Sequence, residues 1–240
     1  GLLVWGVYLA AQGKATGGAL IAAVQLNSRA LAPLVSIAGL ATRLQQSLSA
    51  LKGLNRIMAL PVEREPGRSY LSIDQWQGTL EARDLGFGYT EDAPPVLEGI
   101  NLRIAAGERV AVLGRMGSGK STLLRLLASL YRPRTGQVLL DGVDLSTIEP
   151  ADVRSAVMLV GQDARLFHGT LKENLRLGAP EALDGDLLRL AEATGVAAIA
   201  AAHPMGYDRP VGERGDTLSG GQRQAVALTR ALLARPKILL

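Results

Sequence analysis

Nine consecutive residues, Gly114-Arg-Met-Gly-Ser-Gly-Lys-Ser-Thr122, carry the chemistry most legible in this chain. Their spacing, G-x-x-x-x-G-K-[ST], is that of a loop that cradles phosphate groups. Gly114, Gly117 and Gly119 admit backbone conformations closed to residues with a Cβ, so successive amides can turn inward as a nest for phosphate oxygens. Lys120 is expected to reach the β- and γ-phosphates as a point charge, and the Ser121 hydroxyl to take one coordination position on Mg²⁺. Thr122 is expected beside the α-phosphate, with Arg115 and Ser118 completing the loop. A glycine-rich turn that only joins strand to helix is the alternative.

Such a loop needs a strand before it and a helix after it. Arg109-Val-Ala-Val-Leu113 reads as a buried strand, and Thr122 to Leu130 has the apolar spacing of a helix whose N-terminal dipole favours an anion. Alternation over Thr79 to Tyr89 and the run Ile100 to Ile104 predict strands of a new domain, with turn residues over Glu91 to Pro95 between them. Tyr89, at a strand end, is either a flat surface for an adenine ring or an ordinary strand aromatic. Gln137 to Asp141 and Val157 to Val160 are further strand candidates. Gln162 follows the second, where a side-chain amide could contact Mg²⁺ or water, or could simply be a surface residue. Residues 171–202 are alanine-rich and helical in pattern. Leu218-Ser-Gly-Gly-Gln222 then opens a helix over Arg223 to Leu233, serine-capped at an end able to hold an anion.

Taken together, the loop and the Leu218-Ser219-Gly220-Gly221-Gln222 segment resemble the nucleotide-binding domain of ATP-binding-cassette (ABC) transporters over Thr79 to Leu240. Gly114 to Thr122 matches the family's first ATP motif and Leu218 to Gln222 its signature motif. Tyr89 matches its adenine-stacking aromatic, Gln162 its glutamine loop, and Gly212-Glu-Arg-Gly215 its short exporter-type loop. The resemblance implies an α/β P-loop NTPase fold with a helical subdomain over roughly 163–228. It implies ATP and Mg²⁺ as cofactors, with Ser121 and Gln162 as metal contacts. It also implies a second half-transporter, with a homodimer as the first expectation, whose signature motif acts in trans on this chain's ATP. The run Val160 to Asn174, with a membrane helix upstream, is similar to exporters rather than importers, and Gly18-Ala-Leu-Ile-Ala-Ala, Arg29-Ala-Leu-Ala-Pro-Leu and Gln224-Ala-Val-Ala-Leu228 resemble type I secretion exporters. Those imply an exported protein with membrane-fusion and outer-membrane channel partners. A lipid, peptide or drug exporter is the alternative within the family. Outside it stand a soluble chromosome-maintenance ATPase and a nucleotide-binding regulator.

Upstream of this domain the sequence changes character. Residues 1–60 read as the C-terminal part of an all-α transmembrane domain: the end of one span in Gly1 to Ala11, a polar break over Gln12 to Thr16, a second span from Gly17 to about Leu40, and a helical extension to Leu60. Gln25, Asn27, Ser28 and Arg29 flaw that second span, Pro33 is expected to kink it, and an amphipathic helix in water remains the alternative. Arg43, Lys52 and Arg56 follow it, which puts the C-terminal side in the cytoplasm of a multi-pass inner- or plasma-membrane protein. Residues 61–78, with Pro61 and Pro66-Gly67, read as a linker.

Composition narrows the classes further. The formal charge is +4 and the basic residues are scattered, so no nucleic-acid partner is indicated. Cysteine is absent, which excludes disulfides, thiolate metal sites and a cysteine nucleophile. His168 and His203 match no functional position. Ile238-Leu-Leu240 reads as the strand that precedes the family's Mg²⁺-binding Asp and catalytic Glu; neither these nor the switch histidine is in the sequence. The reading is therefore of a piece cut at both ends, holding no catalytic residue and without steady-state ATPase by itself.

Overall fold

The computed structural model describes residues 2–14, 16–90 and 93–240. Gly1, Ala15, Glu91 and Asp92 lie outside the described residues, and with them parts of the apolar start, the polar break and the turn expected over 91–95. The chain divides into two compact units, Gly1–Val62 and Glu63–Leu240.

The first unit is two helices, α1 (Leu2–Ala11) and α2 (Gly17–Met58). Thr16 separates them as an N-cap: its hydroxyl accepts from the Ala19 amide, satisfying one of the free donors at the start of α2. At 42 residues α2 extends roughly 60 Å and runs on through Pro33. It carries exposed large apolar side chains such as Ile21, Leu26, Ile37 and Leu40, while α1 exposes Val4, Trp5 and Tyr8. The span expected over Gly17 to Leu40 lies within α2, and the side chains of residues 34, 35 and 38 in it are outside the described residues. Among the described residues, no helix is long and apolar enough to cross a membrane.

In the second unit a four-stranded antiparallel sheet has the order β2 (Leu97–Ile104), β1 (Leu80–Phe87), β3 (Thr135–Leu140), β4 (Val143–Asp144). Strand β1 alternates Leu80 and Ala82 toward the core. It then slips register between Arg83 and Gly86, after which Leu85 and Phe87 face inward instead. This bulge is what a period-two pattern needs when the apolar positions change parity. Asp141 and Gly142, both at positive φ, form the two-residue turn from β3 to β4 that favours a Gly at its second place. The core under the sheet includes Leu80, Leu85, Leu126, Leu140 and Ile148, all at most 1% exposed, each contributing about 2 kcal/mol of burial.

Gly136 shows how tightly the bulge is built. Its φ is +74°, and a Cβ there would stand 2.2 Å from the Arg83 carbonyl oxygen and 2.3 Å from that of Asp84. Neither backbone oxygen can move without breaking the β1–β3 ladder. Gly136→Ala is expected to cost roughly 3 kcal/mol or more, whereas Gly142→Ala, with positive φ but open space around it, should cost about 1 kcal/mol. Urea denaturation of the two variants checks the difference; equal losses would contradict the close approach.

Residues 63–78, read as linker, are fastened to the second unit. Glu63 pairs with Arg154, Arg64 with Glu149 at 3.2 Å, and Glu65 with Arg132. Asp152 accepts from the Ser72 hydroxyl and the Ile73 amide. Asp141 accepts from the amides of Gln77, Gly78 and Thr79, and Trp76 is buried in the core.

After the sheet come α4 (Pro150–Ala156) and β5 (Val157–Met158), which pairs in parallel with β8 (Ile238–Leu239). Between them lies a helical layer with its own apolar cluster, from Leu166 to Leu233. It comprises β6 (Gly169–Thr170), α5 (Leu171–Arg176), α6 (Asp184–Ala193), α7 (Val196–Ala201), β7 (Pro210–Val211) and α8 (Gly220–Leu233), with β6 and β7 paired antiparallel. The sequence pattern missed the β6–β7 pair, since two residues are too few for any period. The expected buried strand at Arg109 to Leu113 also needs correction. It is assigned no strand, and Val110, Val112 and Leu113 are 44%, 37% and 90% exposed. An apolar run becomes a strand only against a neighbour that completes its ladder, and no described strand pairs with this one.

Candidate functional site: the glycine loop and the serine-capped helix

Helix α3 (Lys120–Leu127) starts directly from the glycine loop, with Gly119 as its N-cap at φ +86° and no side chain capping its free amides. The first-turn N–H groups therefore point out of the helix without an internal acceptor, the arrangement that favours an anion. Only glycine fits at the cap. A Cβ on Gly119 would lie 2.8 Å from Leu97 Cδ2 and 3.3 Å from the Val96 carbonyl oxygen. Residues 114–118 are exposed. Lys120 folds back over the loop, its Nζ donating to the carbonyls of Gly114 at 2.9 Å and Arg115 at 2.7 Å, with Ser118 Oγ at 3.5 Å. The loop carbonyls thus hold one ammonium at a helix start. The Ser121 side chain is exposed and makes no hydrogen bond among the described residues.

Thr122 stands in the first turn of α3. It is buried, and its hydroxyl is 2.9 Å from that of Tyr89. Tyr89 is half exposed and stands edge-on to Phe87, with centroids 5.1 Å apart, and to Tyr131 at 5.6 Å. The three rings form a fixed aromatic corner, and the Tyr89–Thr122 bond ties it to the first turn of α3. Tyr131 escaped the sequence reading. Its signal was faint: an aromatic just beyond the loop helix in a chain only 4% aromatic.

The second motif forms the start of α8. Ser219 is the N-cap of a full capping box: its Oγ accepts from the Gln222 amide at 3.3 Å, while Gln222 Oε1 accepts from the Ser219 amide at 2.9 Å. Leu218 is buried beneath it and Gly220 and Gly221 are exposed. Arg223, which sequence reasoning did not single out, secures the turn by donating to the Leu218 carbonyl at 2.7 Å and that of Gly215 at 3.4 Å. Gln162 lies beside this helix. Its carbonyl accepts from Gln224 Nε2 at 3.3 Å, and residues 162–165 line an open polar groove of about 330 Å³ with Gly220, Arg223 and Gln224. The structure thus brings Tyr89, Thr122 and the loop together, and separately Gln162 with the signature segment. Among the described residues no hydrogen bond joins the two sets.

Helix α5 borders this second set and is held by another capping box, Thr170 with Glu173. The Thr170 amide donates to the Glu173 carboxylate at 2.7 Å, which holds its pKa below the ordinary value of 4.5. A depressed carboxylate pKa contributes stability that is fully present above about pH 4.5 and is lost as pH falls through the lowered value. Glu173→Gln keeps the hydrogen bonds and removes the titration, so its thermal midpoint is expected to fall less between pH 5 and pH 3 than the wild type's. Parallel acid profiles would contradict this role of Glu173.

The profile of the ABC transporter family matches residues 97–240. This chain belongs to that family. The chain is 37% identical over 235 residues to the leukotoxin translocation ATP-binding protein LktB of Mannheimia glucosida, covering 98% of this chain and 33% of that protein. It is 36% identical over 241 residues to the alpha-hemolysin translocation ATP-binding protein HlyB of Escherichia coli O157:H7, with the same coverage. Among solved structures it resembles a bacterial Atm1-family ABC exporter with ATP bound, at a TM-score of 0.75 and 33% identity, over 99% of this chain and 41% of the other. The chain therefore spans about a third of the length of the relatives it matches. As a family member, the cassette has the P-loop nucleotide-binding fold.

Proposed function

We propose that the whole protein is an ATP-driven exporter of the type I secretion kind, and that this cassette supplies the nucleotide chemistry. The observation that carries the reading is an open, uncapped α3 N-terminus under a glycine loop crossed by Lys120, in a chain 37% identical to a toxin-translocating ATP-binding protein over 98% of its length. The loop amides and Lys120 hold the β- and γ-phosphates, Tyr89 presents its ring to the adenine, and Arg115 and Ser118 shape the loop mouth. Thr122 acts by fixing Tyr89. The exposed Ser121 hydroxyl, without a hydrogen-bond partner, fits a hard cation that takes oxygen ligands, and Gln162 offers a second oxygen on the groove side. Mg²⁺ held there would neutralise charge on the phosphates. Lys120 and the α3 amides stabilise charge on the γ-phosphoryl group as it passes to water, which is a matter of positioning and electrostatics.

Leu218 to Gln222 would complete the site of a second cassette, because the capped α8 start is exposed and has no hydrogen bond to its own loop. Two copies then enclose two nucleotides, each between one loop and the other copy's signature. The exposed apolar side chains of α1 and α2 support a place for the first unit among other apolar helices or lipid, and the protein's place at the inner membrane follows from the exporter reading. Deleting the gene and comparing polypeptides in the culture medium tests the cargo class. The type I reading expects at least one secreted polypeptide to disappear and to return with the wild-type gene. An unchanged set of secreted proteins with altered membrane lipids would favour a lipid exporter.

A further inference from the structure

Under the 163–168 stretch one buried amide is used to capacity. Asn174 is 1% exposed. Its Oδ1 accepts from the Phe167 amide at 2.9 Å and from Arg230 Nη2 at 3.1 Å, and its Nδ2 donates to the carbonyls of Phe167 at 2.8 Å and Thr170 at 3.0 Å. Two lone pairs and two protons are all that an asparagine side chain offers. Arg230 adds two further bonds, from Nε to the Asn174 carbonyl at 2.9 Å and from Nη1 to the Arg165 carbonyl at 3.4 Å, and its guanidinium lies 5.9 Å from the centre of the Phe167 ring. Burial pushes the Arg230 pKa down, yet an arginine starts so high that it stays charged.

Arg230 and Gln224 belong to the same helix, the one that Ser219 caps. Helix α8 therefore grips the 162–167 stretch at two points: Gln224 at the Gln162 carbonyl, and Arg230 at Arg165 and, through Asn174, at Phe167. Any shift of the signature end must carry the Gln162 backbone with it, because a helix transmits displacement along its axis rather than absorbing it. We propose that Arg230 is a positioning residue for hydrolysis, setting the place of Gln162 from the position of the signature helix. The proposal rests on the exporter reading above. Its distinguishing chemistry is the fork. Three carbonyl or amide oxygens are met by three different guanidinium nitrogens, and a lysine ammonium on a flexible stem cannot span them.

The test compares the full-length protein with Arg230→Lys and Gln224→Ala, measuring kcat and KM for MgATP hydrolysis per folded molecule, together with thermal midpoints. Gln224 is exposed on the helix surface, so its truncation leaves the fold intact. Arg230→Lys is expected to lower kcat about tenfold, and Gln224→Ala about threefold, with KM within about twofold of wild type in both. A residue with only a structural role would lower the thermal midpoint and leave kcat per folded molecule unchanged; that result in both variants overturns the proposal, as does a KM that rises in step with the loss of kcat. A wild-type protein that hydrolyses no ATP would sink the exporter reading itself, and this proposal with it, before any variant is compared.

Discussion

Lys120→Ala in the full-length protein is expected to reduce steady-state ATP hydrolysis by about 100-fold or more, with nucleotide affinity lowered as well. Lys120 is the one side-chain cation whose donor atom lies inside the loop, within hydrogen-bond distance of Gly114 and Arg115 oxygens. These loop bonds are partly exposed, so losing them costs about 1 kcal/mol of stability, far less than the fold can bear. Lost electrostatics at the γ-phosphoryl group and a preserved fold are therefore separable. Phosphate release and a thermal melt on the same preparation measure both, and a well-folded variant with wild-type turnover would refute the role given to the lysine.

Ser219→Arg is expected to be comparably severe, about 100-fold in turnover, by another route. The serine hydroxyl caps α8 and shares a reciprocal box with Gln222, so replacing it removes a cap worth about 1 kcal/mol. Far larger is the effect of a bulky cation on the exposed helix start that a second cassette must approach. Nucleotide binding through the loop of the same copy should persist, because no hydrogen bond among the described residues joins Ser219 to residues 114–122. Binding of a fluorescent ATP analogue and nucleotide-driven association are to be measured on the same variant. Loss of both in equal measure would mean that Ser219 serves its own copy's site.

Much of this arrangement could be read from residue types alone, for reasons that differ by element. The loop was legible because it needs glycines at fixed places, as the 2.8 Å approach of a Cβ on Gly119 to Leu97 illustrates. The α8 cap was legible because Ser219 and Gln222 stand three apart, the spacing of a capping box. Strand β1 was visible by alternation, but its bulge at Asp84, with φ +47°, was not, since a parity change also reads as noise. Arg109 to Leu113 misled because apolarity predicts burial only when a neighbouring strand supplies the ladder. Tyr131, Arg230 and the Tyr89 contact of Thr122 were hidden because they depend on partners distant in sequence. Thr122 meets Tyr89 across 33 positions, and Arg230 meets Asn174 across 56.

The central claim is that this cassette holds ATP with its adenine at the Tyr89 corner and its phosphates on the loop at the start of α3. Photolabelling of the full-length protein with 8-azido-ATP in the presence of Mg²⁺, followed by peptide mapping, tests it most directly. The account predicts label on the peptides carrying Tyr89 or Tyr131, competed away by unlabelled ATP and strongly reduced in Lys120→Ala. Label confined to peptides elsewhere in the chain, or unaffected by excess ATP, would contradict it.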